Sequence, residues 1–227
     1  MIAAFFDCDG TLYSSQFGRG LLQYASDNGG DKAVRNYYAA LLLPYLMRRA
    51  RLISQETFQR PLIGKLARLV KGWDVQESRA GFGWVVHEYL LQSRHPEVVE
   101  RLHDHQVRGH MVVLISGVFV PALKILGEEL GVSELIGTRL EENLGNFTGR
   151  IIPPVVSGRE KVAQLYDHLS EGQTEIDWAA SYAYADSVTD EALLRLVGNP
   201  VAVYPDTRLL EISLENGWEV MGSPKAY

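Results

Sequence analysis

The sequence predicts an α/β protein in which a parallel sheet lies between two layers of helices, with an all-helical segment inserted near the start. Three observations predict it. Short, predominantly apolar runs recur at residues 2–6, 111–115, 178–185 and 201–204. Each has the length and composition of a strand buried on both faces. Stretches with helical spacing separate most of these runs, which is the pattern of parallel strands joined by helical crossovers. Residues 14–94, by contrast, contain no convincing two-residue alternation and several apolar faces at helical spacing.

The first apolar run ends in Asp7-Cys8-Asp9-Gly10-Thr11-Leu12. Side chains two apart on an extended chain point the same way, so Asp7 and Asp9 can share one pocket at the carboxyl end of the strand. In open α/β sheets ligands bind along that edge. Two neighbouring anions there call for a cation. Alone, Asp-Gly also reads as a surface turn. Cys8, the single cysteine, is expected to pack on the far side of the strand as a thiol. With no second cysteine there is no intrachain disulfide, which suggests a reducing, cytoplasmic setting.

Within residues 14–94, Leu21, Leu22, Tyr24 and Ala25 open one amphipathic helix, ended by Asn28-Gly29-Gly30. Residues 34–43 and 45–52 continue helical spacing on either side of Pro44, which should kink or break the helix. Ser54-Gln55-Glu56-Thr57 resembles a helix start, followed by Leu62, Ile63, Leu66, Leu69 and Val70 at helical spacing. Phe82, Val85, Val86, Tyr89 and Leu90 form a further apolar face. The expected insert is a small helical bundle.

His95-Pro96 marks the return to the core, with Pro96 in the first turn of a helix that ends near Gly109. The apolar run 111–115 ends in Ser116-Gly117. A helix over 121–130 closes at Gly131. Residues 135–152 read as short strands or a hairpin around Gly145-Asn146. A helix opens at Ser157-Gly158-Arg159-Glu160-Lys161. The run 178–185 is followed by Asp186, residues 191–197 are helical, and a helix over 209–216 closes the sequence.

Composition bounds the function. The 46% hydrophobic and 22% charged shares are ordinary for a globular protein. A net charge of −6 speaks against a nucleic-acid surface. That average hides a division: residues 14–94 hold twelve Lys/Arg against six Asp/Glu, whereas the remainder holds ten against twenty-two. A basic insert over an acidic core suits a lid that draws in an anionic substrate, although single arginines on a helix face are ordinarily just solvated. The apolar run 37–47 is too short to span a bilayer and contains Pro44. The start has no basic flank of the signal-peptide kind. Asn146-Phe147-Thr148 matches a glycosylation sequon, read as coincidence without a secretory signal. His103, His105 and His110 fall short of a metal motif, since helix positions two apart do not face each other.

Asp7, Asp9, Ser116, Gly117, Lys161, Asp186 and Asp190 all fall at strand ends or helix starts. Singly, each has a plain explanation as a turn, a solvated lysine or a helix cap. Together and in this order, they resemble the motifs of the haloacid dehalogenase-like hydrolase superfamily, in its phosphoserine-phosphatase-like branch. The four matches are the Asp7–Leu12 motif, Ser116 after an apolar strand, Lys161 opening a helix, and Asp186-Ser187-Val188-Thr189-Asp190. Ala185 departs from the glycine common in relatives.

The resemblance implies a three-layer, Rossmann-like core formed by residues 1–13 and 95–227, with 14–94 as a helical cap. It implies an Mg2+-dependent phosphatase acting on a small phosphorylated metabolite. Asp7 would be the nucleophile. Lys161 would neutralise the Asp7–phosphate pair, while Ser116 and the Gly117 amide would hold phosphate oxygens. The metal ligands would be Asp7, the Asp9 carbonyl and Asp186, with Asp190 in support. Asp9 would serve as acid and then base, which favours a phosphatase over a dehalogenase.

The substrate stays open. Tyr13-Ser14-Ser15-Gln16-Phe17 lacks the glutamate that phosphoserine phosphatases carry after the first motif. Arg19, Arg48, Arg49, Arg51 and Arg60 are candidate anion clamps. Phe17, Tyr37, Tyr38, Tyr45, Phe58, Phe82 and Trp84 are candidate linings of a more apolar pocket, or plain core. A phosphotransferase or mutase using the same aspartyl-phosphate, and a non-catalytic phosphate-binding module, are the alternative readings.

Overall fold

The computed structural model describes residues 1–50, 52 and 55–224, with only the backbone described for 55–60. The expected helix start at Ser54, the clamp candidates Arg51 and Arg60 and the ring of Phe58 lie outside the described residues. In chain order the elements are β1 (Ala3–Phe6), α1 (Phe17–Asp27), α2 (Asp31–Arg49), α3 (Gln55–Leu66), α4 (Val75–Trp84), α5 (Pro96–Val107), β2 (Met111–Phe119), α6 (Val120–Leu130), β3 (Glu134–Asn143), β4 (Asn146–Ile152), α7 (Arg159–Glu171), β5 (Tyr182–Ala185), α8 (Glu191–Leu194), β6 (Asn199–Val203), α9 (Thr207–Asn216) and β7 (Glu219–Met221).

The strands form one sheet in the order β4-β3-β2-β1-β5-β6-β7. All neighbours are parallel except the β3–β4 hairpin. β1 is central because every residue in it is apolar and can be covered on both faces. Its alternation sorts the core into two. Ala4, Phe6 and Cys8 pack with Val98 and Leu102 of α5 and Leu123 and Leu126 of α6. Ala3 and Phe5 pack with Leu165 and Leu169 of α7, Leu193 and Leu194 of α8, and Leu209 of α9. Phe6 stacks on Tyr184 at 4.3 Å and Phe5 on Trp178 at 5.8 Å. Full burial of each such ring contributes about 2 kcal/mol.

Several expectations needed correction. β2 does not stop at Ser116 but runs on to Phe119, with a register shift against β3 between Ile115 and Phe119. Val118 and Phe119 are apolar and buried, so the strand gains by continuing. Only Tyr182–Ala185 of the run 178–185 is strand. Trp178 instead lies in a turn, where its carbonyl accepts from Gly198 N at 2.8 Å. The helix expected over 191–197 stops at Leu194. The edge strand β7 was not foreseen, since Glu219–Met221 is too short to show a pattern.

The insert contributes helices only among the described residues, and it shares the core rather than building its own. Phe17 meets Phe119 edge-on at 5.4 Å, and Phe82 sits 6.3 Å from Phe147. The chain leaves and rejoins the core through a paired seam. Ser14 N donates to Ser93 O and His95 N to Leu12 O, each at 2.8 Å.

Contrary to the expected break, α2 runs unbroken through Pro44 to Arg49. Proline removes the N–H that would bond the carbonyl four residues earlier. That carbonyl belongs to Ala40, and Lys65 Nζ on α3 donates to it at 2.6 Å. A neighbouring helix thus supplies the missing donor. Lys65→Met is expected to speed amide exchange in α2 and cost about 1 kcal/mol. Unchanged exchange there would sink this account of Pro44.

Of the three histidines, His103 turns outward to Gln106. His105 is buried, with Nε2 2.9 Å from the Tyr184 hydroxyl and Nδ1 2.8 Å from His110 Nδ1. Burial first, then His110, Arg108 and Arg101, pushes the His105 pKa down to about 4. The folded protein therefore holds it neutral, while the unfolded chain protonates it near 6.5. The stability this difference provides is complete above the unfolded value and lost as pH falls from there toward about 4. Denaturation across that window should show a shallower acid-side decline in His105→Gln than in the wild type.

Candidate functional site

The crevice forms where β1, β2 and β5 end side by side. Asp7 follows β1, and its N–H still bonds Tyr184 O on β5 at 3.0 Å. Gly10, at φ 86°, turns the chain immediately after. Asp186 follows β5. Ser116 lies on β2, two residues beyond the Phe6–Leu114 pair, and is buried. Lys161 sits in the first turn of α7 and Asp190 in the single turn Val188–Asp190. These five residues fall along one edge of the sheet, where Asp7, Lys161, Asp186 and Asp190 come together, while the Ser116 hydroxyl bonds Cys8.

Lys161 Nζ lies 2.6 Å from Asp7 Oδ1 and 2.9 Å from Asp190 Oδ2. All three side chains are at most 7% exposed. Burial opposes the Lys161 charge, yet Asp190 and Asp7 outweigh it and hold the ammonium above its ordinary pKa. Burial raises the Asp190 carboxyl and Lys161 lowers it. The short ion pair to a fixed ammonium argues that Asp190 is carried as the anion.

Asp7, Asp186 and Asp190 offer carboxylate oxygens all within 4.8 Å of one another, the cluster among the described residues able to hold a metal ion. Asp190 Oδ1 is buried with no hydrogen-bond partner among those residues. A buried anionic oxygen is costly unless paired. Lys161 pairs with two of the three acids, and a hard dication with oxygen preference fits the set. The Thr11 hydroxyl sits 3.4 Å from both Asp7 Oδ2 and Asp186 Oδ1, tying the two motifs together.

The Asp9 side chain is anchored at the start of the insert. Its Oδ1 accepts from Phe17 N at 2.9 Å, at the start of α1. Burial, with the charges of Asp7 and Asp186 and against that amide, raises its pKa to about 7. It is half-buried. Cys8 is fully buried on the opposite side. Burial first, then Asp7 and Asp9, pushes its thiol up, so it stays neutral as expected. A Cβ on Gly117 would come within 2.9 Å of Ile63 Cδ1 and 3.4 Å of the Val156 carbonyl. The insert therefore reaches over the crevice through α3.

Of the clamp candidates whose side chains are described, Arg19 and Arg49 are exposed and Arg48 half-buried. Phe17 and Phe82 are core, not pocket lining.

Sequence reasoning missed Asp206. Its Oδ2 accepts from Val188 N at 2.9 Å, its N–H donates to Asp186 O at 2.9 Å, and its Oδ1 caps α9 through Leu209 N. It thereby pins the start and the middle of the Asp186–Asp190 loop. An aspartate just before a helical face is a helix-start signal, but nothing in the sequence ties it to that loop.

A family model for haloacid dehalogenase-like hydrolases matches residues 4–195. A phosphoserine phosphatase of Mycobacterium tuberculosis is 29% identical over 228 residues, covering 96% of this chain and 70% of that protein. A histidinol-phosphatase of Neisseria meningitidis is 33% identical over 136 residues, covering 59% of this chain and 61% of that protein. The chain spans 56% of the length of another relative, an inhibition of morphological differentiation protein of Streptomyces azureus. A solved structure of a Bordetella pertussis protein of unknown function superposes with a TM-score of 0.80 at 24% identity, over 98% of this chain and 99% of that one. With the four motifs converging on one crevice and the family match spanning most of its length, the chain belongs to the haloacid dehalogenase-like hydrolase family.

Proposed function

We propose that this chain is an Mg2+-dependent phosphomonoester hydrolase that works through an aspartyl-phosphate on Asp7, with residues 14–94 as its cap. The observation that carries the reading is the buried Lys161 ammonium bridging Asp7 and Asp190 beside Asp186. Phosphatases among the relatives support the reaction class.

In this reading Asp7 and Asp186 hold the metal with the Asp9 carbonyl, and Asp190 supports it. When bound, the ion neutralises charge on the phosphoryl oxygens. Lys161 fixes Asp7 Oδ1, which leaves Oδ2 to attack phosphorus in line. The phosphorus–oxygen ester bond breaks as the new bond to Asp7 forms. Asp9, with its pKa raised to about 7, gives its proton to the departing alkoxide. It then takes a proton from the water that cleaves the acyl phosphate, releasing inorganic phosphate and restoring Asp7. Ser116 and the Gly117 amide hold phosphoryl oxygens. The substrate is a small phosphorylated metabolite, with phosphoserine and histidinol phosphate as candidates drawn from the named relatives.

An aryl phosphate should be hydrolysed with magnesium and not with EDTA. Asp7→Asn should abolish turnover while melting near the wild type, and Asp9→Asn should lower kcat by ~10²–10⁴-fold. Normal turnover in Asp7→Asn would rule out the covalent route, and efficient transfer to an added alcohol would favour a phosphotransferase. Separately, Lys161→Met strands two buried acids, so without metal it should lose ~3 kcal/mol of stability in urea titration. A midpoint equal to the wild type would mean the ion pair contributes nothing.

A further inference from the structure

Thirteen large apolar side chains are exposed among the described residues, and six of them fall between residues 38 and 52. Tyr38, Leu42, Leu43, Tyr45 and Leu46 lie on α2 and are 50–68% exposed; Leu52 follows at 72%. No other exposed apolar groups cluster this way along the chain. Tyr38, Leu42, Tyr45 and Leu46 are spaced i, i+4, i+7, i+8, so they form one stripe. α2 has no fully buried residue, although its opposite side is held by α1 and α3.

Basic groups flank the stripe. Lys32 and Arg35 are exposed at one end and Arg49 at the other, against a single exposed acid on the helix, Asp31. Tyrosines among leucines with a basic rim are the composition of a surface that lies at the boundary of an anionic bilayer. Among the described residues no helix is long and apolar enough to cross a membrane. Lying on a membrane is a different mode and needs no such length.

We infer that α2 docks this protein on an anionic lipid surface, its leucines and tyrosines entering the headgroup boundary and its flanking cations neutralised by lipid phosphates. A second copy fits the face less well. A twofold antiparallel pairing of α2 would set Arg35 of one copy against Arg49 of the other, with only Asp31 to offset them. Docking of this kind would stand whatever reaction runs at Asp7.

Vesicle flotation of the whole chain tests it, using an equal mixture of phosphatidylcholine and phosphatidylglycerol beside phosphatidylcholine alone. The wild type should float with the anionic vesicles, less so as salt rises, and not with the neutral ones. Leu42→Ser/Leu46→Ser and Lys32→Glu/Arg35→Glu should each lower the partition by ~10-fold or more, with circular dichroism and melting unchanged. The proposal is overturned if the wild type stays with the lipid-free fraction at low salt, or if the leucine variant floats as well as the wild type. It is equally overturned if sedimentation shows a dimer that the leucine variant dissolves, because a second copy would then cover the face.

Discussion

Everything at the crevice depends on one buried ammonium. Lys161 reaches two carboxylates at hydrogen-bond distance, and a third acid stands within reach of both. Without that charge, Asp7, Asp186 and Asp190 would repel one another in a site largely shut off from water. With it, the three acids can stand together in one buried cluster. Lys161 comes from the first turn of α7, so the position of that helix against the sheet sets the geometry of the site.

The sheet makes this arrangement possible. β1 separates its side chains so strictly that Cys8 enters one apolar layer while Asp7 turns to Lys161 in the crevice. β2 and β5 flank β1 in parallel, so their carboxyl ends open on the same edge. Asp206 then secures the Asp186–Asp190 loop from the far side of β6. Backbone pairing and one aspartate cap thus hold the frame on which Lys161 meets its carboxylates.

The insert is tied to this frame at three places. The Ser14–Ser93 and Leu12–His95 pairings fix where it leaves the core. The ring cluster of Phe17, Phe82, Phe119 and Phe147 joins its apolar side to that of the core. Ile63 meets Gly117 over the crevice, where any larger residue than glycine would collide with it. Space beside Gly117 is therefore shaped jointly by α3 and β2.

The apolar runs, their acidic ends and the helical insert were legible because burial demands local patterns: alternation or continuity of apolar residues is written into short stretches. Two of the motifs were legible for the same reason, since Asp7 and Asp186 each sit where a strand stops. What the sequence could not show was anything set by two distant segments at once. The lysine that rescues Ala40 after Pro44, the aspartate that clamps a loop from another strand, the two histidines meeting under Tyr184 and the outward face of α2 all depend on which surfaces pack together. Local composition determines which residues must be hidden. Only the packed structure decides which partner hides them, because that choice minimises exposed area and unpaired charge over the whole chain at once.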